Sequence, residues 1–255
     1  VSFDFTDVPD DKATLVTTAG TGWTHAGNNE LASDELQWQI HTNDTSYYDL
    51  GAGNVSDTSW VLRFKWKIID ITRHTSTDFG WFGLSSESGG KGTTQDFVGF
   101  TYNPYNNYGY DLQLHNKDGA ALGLGGGSGS CTSATDLCSN TWSDGDEFWY
   151  EMVRNSTTLT LKVYSDSGYT TQVGTTLTKT IGSEANLRYI LQCGDDSRAD
   201  SQSGHIEGAL DDIKFYNGVT TATGTPAYET EFVDSSKLPE NTLFEETDTY
   251  KTYWL

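Results

Sequence analysis

The chain has 255 residues, with 36 Asp and Glu against 15 Lys and Arg, for a formal net charge of −21. Such a surface repels phosphate backbones and anionic bilayers, which argues against nucleic-acid partners and membrane insertion. Aromatic residues make up 13% and glycine is frequent at 27, so the composition reads as all-β. No run of about 18 apolar residues is present to cross a membrane as a helix. The start has no basic segment followed by an apolar one, so it is not a signal peptide. Val1 stands where an initiator Met is expected, which suggests a processed or excised fragment.

Strand patterns follow in order. Val1-Ser-Phe-Asp-Phe-Thr-Asp7 reads as an opening strand, and Leu36–Ile40 alternates apolar with polar. Trp60–Ile68 is the clearest period-two run. It sets Trp60, Leu62, Phe64, Trp66 and Ile68 on one face and Arg63, Lys65 and Lys67 on the other. Phe79–Leu84 and Asp96–Tyr102 are apolar enough for central strands. Tyr110–His115 turns Tyr110, Leu112 and Leu114 inward and leaves Gln113 and His115 on the polar face. Glu147–Arg154 and Thr158–Tyr164 flank Asn155-Ser-Thr157, which predicts a hairpin with a three-residue turn. Leu187–Gln192 and Leu210–Tyr216 complete the set, the last entered by a turn at Asp211 and Asp212.

Between these runs lie segments rich in Ser, Thr, Gly and Asn. Gly119–Ser130 is nearly all small residues and predicts a mobile loop. Cys131 and Cys138 follow it, and a disulfide between them would close a short loop in an oxidising compartment. Two free thiols in a reducing cell are the alternative. Cys193, within Tyr189–Cys193, reads as a buried small hydrophobe. Thr220–Pro226 belongs to a linker over 219–237.

Three pieces carry a resemblance. Gly208-Ala-Leu-Asp-Asp-Ile-Lys-Phe-Tyr-Asn217 is similar to the closing strand of laminin-G-like, pentraxin and concanavalin-like domains, with Asp211 five residues before Tyr216. Residues 1–7 resemble the strand that pairs with it, and the Trp149-Tyr150 hairpin resembles the laminin-G-like one. The resemblance implies an all-β, two-sheet antiparallel jelly-roll sandwich (concanavalin-like) over residues 1–218. Residues 238–255, with Pro-Glu-Asn-Thr-Leu-Phe-Glu-Glu-Thr-Asp-Thr, resemble an outgoing strand segment of viral and archaeal surface structural proteins. That segment implies further domains, or copies of the same protein, as partners. The concanavalin-like families often carry a structural Ca2+ between opening and closing strands. By position it falls on Asp211 and the backbone of Asp4; the other reading has Asp211 and Asp212 cap a turn.

The fold hosts lectins, adhesion modules, glycanases and lyases alike, so function rests on residues. The laminarinase pattern Glu-x-Asp-x-x-Glu is absent. Glu147 and Glu151 share a strand face but lie about 13 Å apart by rise, which suits a solvated face better than a catalytic pair. Gln39-Ile40-His41 matches one piece of the alginate-lyase pattern, whose Arg-Glu strand is missing. None of the five histidines joins a nucleophile motif. Sugar binding needs aromatic faces with amides or carboxylates for hydroxyls. Tyr105, Asn106, Asn107 and Tyr108, followed by Gln113 and His115, have that chemistry, and so do Trp142 and Trp149. Trp60, Phe64, Trp66, Trp81 and Phe100 read as core. The expectation is a non-enzymatic, extracellular glycan-recognition or display module of a larger surface or virion protein. A purely structural assembly subunit is the alternative, and a polysaccharide hydrolase or lyase is the third.

Overall fold

A computed structural model of the chain describes residues 22–25, 29–32, 35–39, 44–72, 79–102, 112–122, 142–195, 205–230, 243–246 and 251–254. Every regular element among them is a strand, and every pairing is antiparallel.

Two sheets form the sandwich. The first has six strands, in spatial order β1 (Thr24–His25), β4 (Thr45–Asp49), β12 (Tyr189–Asp195), β6 (Phe79–Ser85), β7 (Thr94–Tyr102) and β8 (Leu112–Ala121). The second has eight. Its path runs β11 (Gln172–Thr180), β10 (Thr158–Tyr164), β9 (Glu147–Asn155), β5 (Ser59–Thr72), β13 (His205–Asn217), β3 (Glu35–Gln39) and β2 (Glu30–Ala32). The eighth, β14 (Tyr228–Thr230), pairs with β13. A hairpin of β15 (Leu243–Glu246) and β16 (Lys251–Trp254) stands as its own two-stranded sheet.

The alternation in β5 is realised as read: Trp60, Leu62, Phe64, Trp66 and Ile68 are fully buried between the sheets. Arg63, Lys65 and Lys67 point away, each only partly exposed. Rings from both sheets meet there. Trp66 lies 4.5 Å from Trp38 and 4.7 Å from Tyr102, centroid to centroid, and 5.7 Å from Phe82. Gly80 and Gly208 make this packing possible. A Cβ at Gly80 would overlap the Tyr102 ring, and one at Gly208 would overlap Trp38.

The closing strand differs from its reading. Residues 205–217 are strand throughout, and the acidic pair is a β-bulge rather than an entry turn. Asp211 pairs with Lys65 and Lys214 with Arg63, so Asp212 and Ile213 stand opposite Phe64 alone. Asp212 takes the left-handed conformation, with φ 48°. One extra residue shifts the side-chain parity by one. The core set therefore runs Ile206 and Leu210 before the bulge, then Ile213 and Phe215 after it. The β9–β10 turn also differs. Asn155 pairs with Thr158, which leaves a two-residue turn of Ser156 and Thr157, with Ser156 at φ 55°.

Within the segment expected to be a linker, β14 joins the sandwich. Tyr228 stacks on Tyr48 at 3.9 Å, and its hydroxyl accepts a hydrogen bond from Trp23 Nε1 at 2.9 Å.

Candidate functional site

Leu112 and Leu114 face the core, so Gln113 and His115 point to the outer face of the six-stranded sheet, as their alternation requires. The register places Gln113 beside Thr101, and Thr101 beside Trp81 one strand further in. His115 pairs with Gly99. His115 is no surface side chain: only 4% of it is exposed. The outer face carries a second apolar cluster of Trp81, Phe97, Leu122, Leu191 and Cys193. His115 packs on Trp81 at 5.0 Å, edge toward face, and Phe97 meets the same indole at 5.7 Å. The Lys117 ammonium lies 5.7 Å from the Trp81 ring centroid.

Burial, and then the Lys179 and Lys117 charges, push the His115 pKa down to about 3, so the imidazole is neutral at physiological pH. Among the described residues its Nδ1 has no hydrogen-bond partner, nor do Trp81 Nε1 and Thr101 Oγ1. Gln113 is half-buried. The cluster is thus a covered aromatic patch with uncharged polar groups, and half-buried Gln113 lies beside it. Sequence reasoning placed Trp81 in the core without its side and passed over Thr101. A signal was present: Trp81 and Phe82 are consecutive, and period two puts them on opposite faces. Phe82 belongs to the main core and Trp81 to the outer cluster.

Tyr105, Asn106, Asn107 and Tyr108 lie outside the described residues. Their segment leaves the sheet at Tyr102 and returns at Leu112. Those two residues pair directly, next to the Thr101–Gln113 pair. Cys131, Cys138 and Asp4 also lie outside the described residues. Cys193 is buried, as its apolar setting implied. Trp142 belongs to the main core at 2% exposure, which removes it as a sugar platform. Trp149 is half-buried on the outer face of the eight-stranded sheet, beside Lys65.

That opposite face is a lattice of ion pairs. Glu151 accepts from Arg63 Nε at 2.9 Å and Nη2 at 2.5 Å, and the Arg63 guanidinium lies 4.1 Å from the Tyr169 ring centroid. Lys65 meets Glu147 at 3.1 Å and Glu35 at 3.6 Å; Lys67 meets Glu35 at 3.1 Å. Glu147 and Glu151 are therefore charge-paired with cations rather than turned toward a shared cleft. Asp211 sits on this face opposite Lys65, and Asp212 pairs with Lys214 at 2.5 Å. Among the described residues no group of three His, Cys, Asp or Glu could hold a metal ion.

Neither a protein-family model nor a curated protein matches this chain. Solved structures do. A legume lectin-like domain from Entamoeba histolytica superposes with a TM-score of 0.51 at 14% identity, covering 77% of this chain and 90% of that one. The exoplasmic/lumenal domain of VIP36, in its Ca2+/Man3GlcNAc-bound form, gives 0.51 at 11% identity, covering 82% and 92%. The fold is a concanavalin-like jelly roll. A family 7 alginate lyase, A1-II′, superposes at a TM-score of 0.43 and 10% identity over 76% of this chain and 81% of that one, too loosely to carry an argument. At such identities the likeness establishes the jelly roll and nothing about its ligand.

Proposed function

We propose that this chain is a non-enzymatic recognition module that binds neutral glycans outside the cell, as part of a larger surface or virion protein. The observation that carries the proposal is the outer face of the six-stranded sheet. It sets half-buried Gln113 beside Thr101, next to the buried Trp81 and His115, at the root of the Tyr105–Tyr108 segment. Tyrosine rings such as those of Tyr105 and Tyr108 can cover the apolar face of a pyranose, and amides such as that of Gln113 satisfy its hydroxyls. The net charge of −21 disfavours anionic polysaccharides. The VIP36 domain, described in a Man3GlcNAc-bound form, shares the fold and lends support at the level of architecture. The ion pairing of Glu147 and Glu151 supports a binding rather than a hydrolytic role.

An array of neutral glycans tests the reading. The wild type retains at least one glycan, and Gln113→Ala weakens that binding about five- to tenfold, the effect of one lost hydrogen bond. No reducing sugar is released. If no glycan is retained, the assembly reading takes its place. In that case mass photometry with and without residues 231–255 would show oligomers that need the terminal segment.

Calcium is a separate question. VIP36 is described with Ca2+ bound. Around Asp211 the described residues do not fit a divalent ion: Lys65 faces the carboxylate, and the neighbouring Asp212 is taken by Lys214. The melting curve of metal-free protein is expected to coincide with that in millimolar calcium. A calcium-dependent rise of several degrees that Asp211→Ala removes would instead show a site completed from residues such as Asp4.

A further inference from the structure

We propose that Asn155, on the exposed turn between β9 and β10, is an acceptor for N-linked glycosylation. The inference rests on the extracellular placement proposed above and adds a covalent modification to it.

The chain holds three Asn-x-Ser/Thr triplets: Asn43-Asp-Thr45, Asn54-Val-Ser56 and Asn155-Ser-Thr157. Such triplets are common in a chain rich in Ser and Thr, so their surroundings decide. Asn43 lies outside the described residues. The other two differ sharply.

At Asn155 the backbone is fixed while the side chains are idle. Asn155 pairs with Thr158 across the turn and with Ser59 of β5. Ser156 N donates to Thr58 O at 2.6 Å, and Ile181 N donates to Thr157 O at 2.8 Å. Asn155, Ser156 and Thr157 are all exposed, and among the described residues none of their side chains makes a hydrogen bond. The fold does not ask for these residue types. Ser156 has φ 55°, which Gly or Asn adopts at lower cost. Turn chemistry alone favours Asn-Gly at the two central positions, whereas this turn keeps Asn, Ser and Thr in acceptor order.

Asn54 is the internal contrast. Its Nδ2 donates to Leu50 O at 2.8 Å and lies so close over Gly51 that a Cβ there would come within 2.6 Å. The Ser56 hydroxyl already accepts from the Thr58 and Ser59 N–H groups, at 3.2 and 3.1 Å. A sugar on Asn54 would break local structure; one on Asn155 displaces nothing.

The chemistry balances with one co-reactant, an oligosaccharide linked to a polyprenyl pyrophosphate. The Asn155 amide nitrogen bonds to the anomeric carbon of the first sugar. The bond from that carbon to the pyrophosphate breaks, and the polyprenyl pyrophosphate leaves with the electron pair. A base of the transferase takes the amide proton, and nothing is oxidised or reduced.

The position keeps the candidate sugar face open. Arg154 Nη1 donates to Glu184 O at 2.9 Å, and Ala185 N donates to Asp96 at 2.8 Å, near the start of β7. Because β7 ends at Tyr102, the turn lies at the opposite end of the sandwich from the Tyr102–Leu112 pair.

The test expresses the full chain behind a secretory leader in eukaryotic cells. Secreted and retained fractions are treated with peptide N-glycosidase in isotopically labelled water, which marks each occupied Asn as Asp, and are mapped by mass spectrometry. The expected result is a marked Asn155 in most molecules, an unmarked Asn54, and loss of the Asn155 mark in Thr157→Val. An unmarked Asn155 in both fractions overturns the site. Equal marking of Asn54 and Asn155 also overturns it, since the surroundings would then select nothing. Glycan retention on the array is read separately, so either reading can fail while the other stands.

Discussion

Trp66→Ala lowers the stability of the sandwich by about 3–5 kcal/mol, which corresponds to a melting temperature roughly 6–20 °C lower. Trp66 is fully buried and joins rings of both sheets: Trp38, Phe64 and Tyr150 on its own side, Phe82, Phe100 and Tyr102 across the core. Removing the indole leaves a cavity that interlocked rings cannot close. Trp66→Phe costs less, because it retains an aromatic ring and removes an indole nitrogen that has no partner among the described residues. Trp149→Ala, on the outer face, is the control and should stay within about 1 kcal/mol. Urea and thermal denaturation of the three variants decide the matter. If Trp66→Ala behaves like Trp149→Ala, the rings around Trp66 do not form the core.

The second large effect is on acid stability. His115 has a folded pKa of about 3, against an ordinary value near 6.5. Burial is the main cause, and the Lys179 and Lys117 charges add to it. The unfolded chain therefore takes up the proton before the folded one does. Stability from this group is complete above about pH 6.5 and is lost as pH falls from there toward 3. Between pH 7 and pH 4.5 the loss amounts to about 2–3 kcal/mol. His115→Phe keeps a ring against Trp81 and removes the titration, so its stability should fall less over that interval. Asp49 acts in a lower window. The hydrogen bonds from Arg188, at 2.7 Å to Nε and 2.5 Å to Nη2, hold its carboxyl below the usual carboxylate range. Its contribution is present above about pH 4 and fades below that. Urea midpoints at pH 7, 5.5 and 4.5 separate the two groups. Equal slopes for wild type and His115→Phe would show that the imidazole is not the acid-sensitive group.

How much of this was legible in the sequence depends on how local each determinant is. The β5 pattern, the β9–β10 hairpin and the apolar alternation of Ile213 and Phe215 could be read directly. Each is a property of a few consecutive residues, and period two assigns sides without reference to the rest of the chain. The bulge at Asp212 could not, because an extra residue is defined only against the partner strand, and Phe64 is about 150 positions away in sequence. The pairing of Tyr228–Thr230 with β13 was hidden for a similar reason: three residues carry no period, and the stacking of Tyr228 on Tyr48 spans most of the chain.

His115 shows the limit most clearly. Alternation told correctly which face of β8 it occupies. It could not tell that this face is covered, because a sheet in a sandwich has one side packed by its partner sheet and another that distant segments can bury as well. The amino-acid sequence by itself determined the all-β class, the acidity, the strand faces and the residue types capable of meeting a sugar. Only the tertiary structure decided which of those types come together. Trp81, Thr101 and His115 lie on three different strands, and only cross-strand register makes them neighbours.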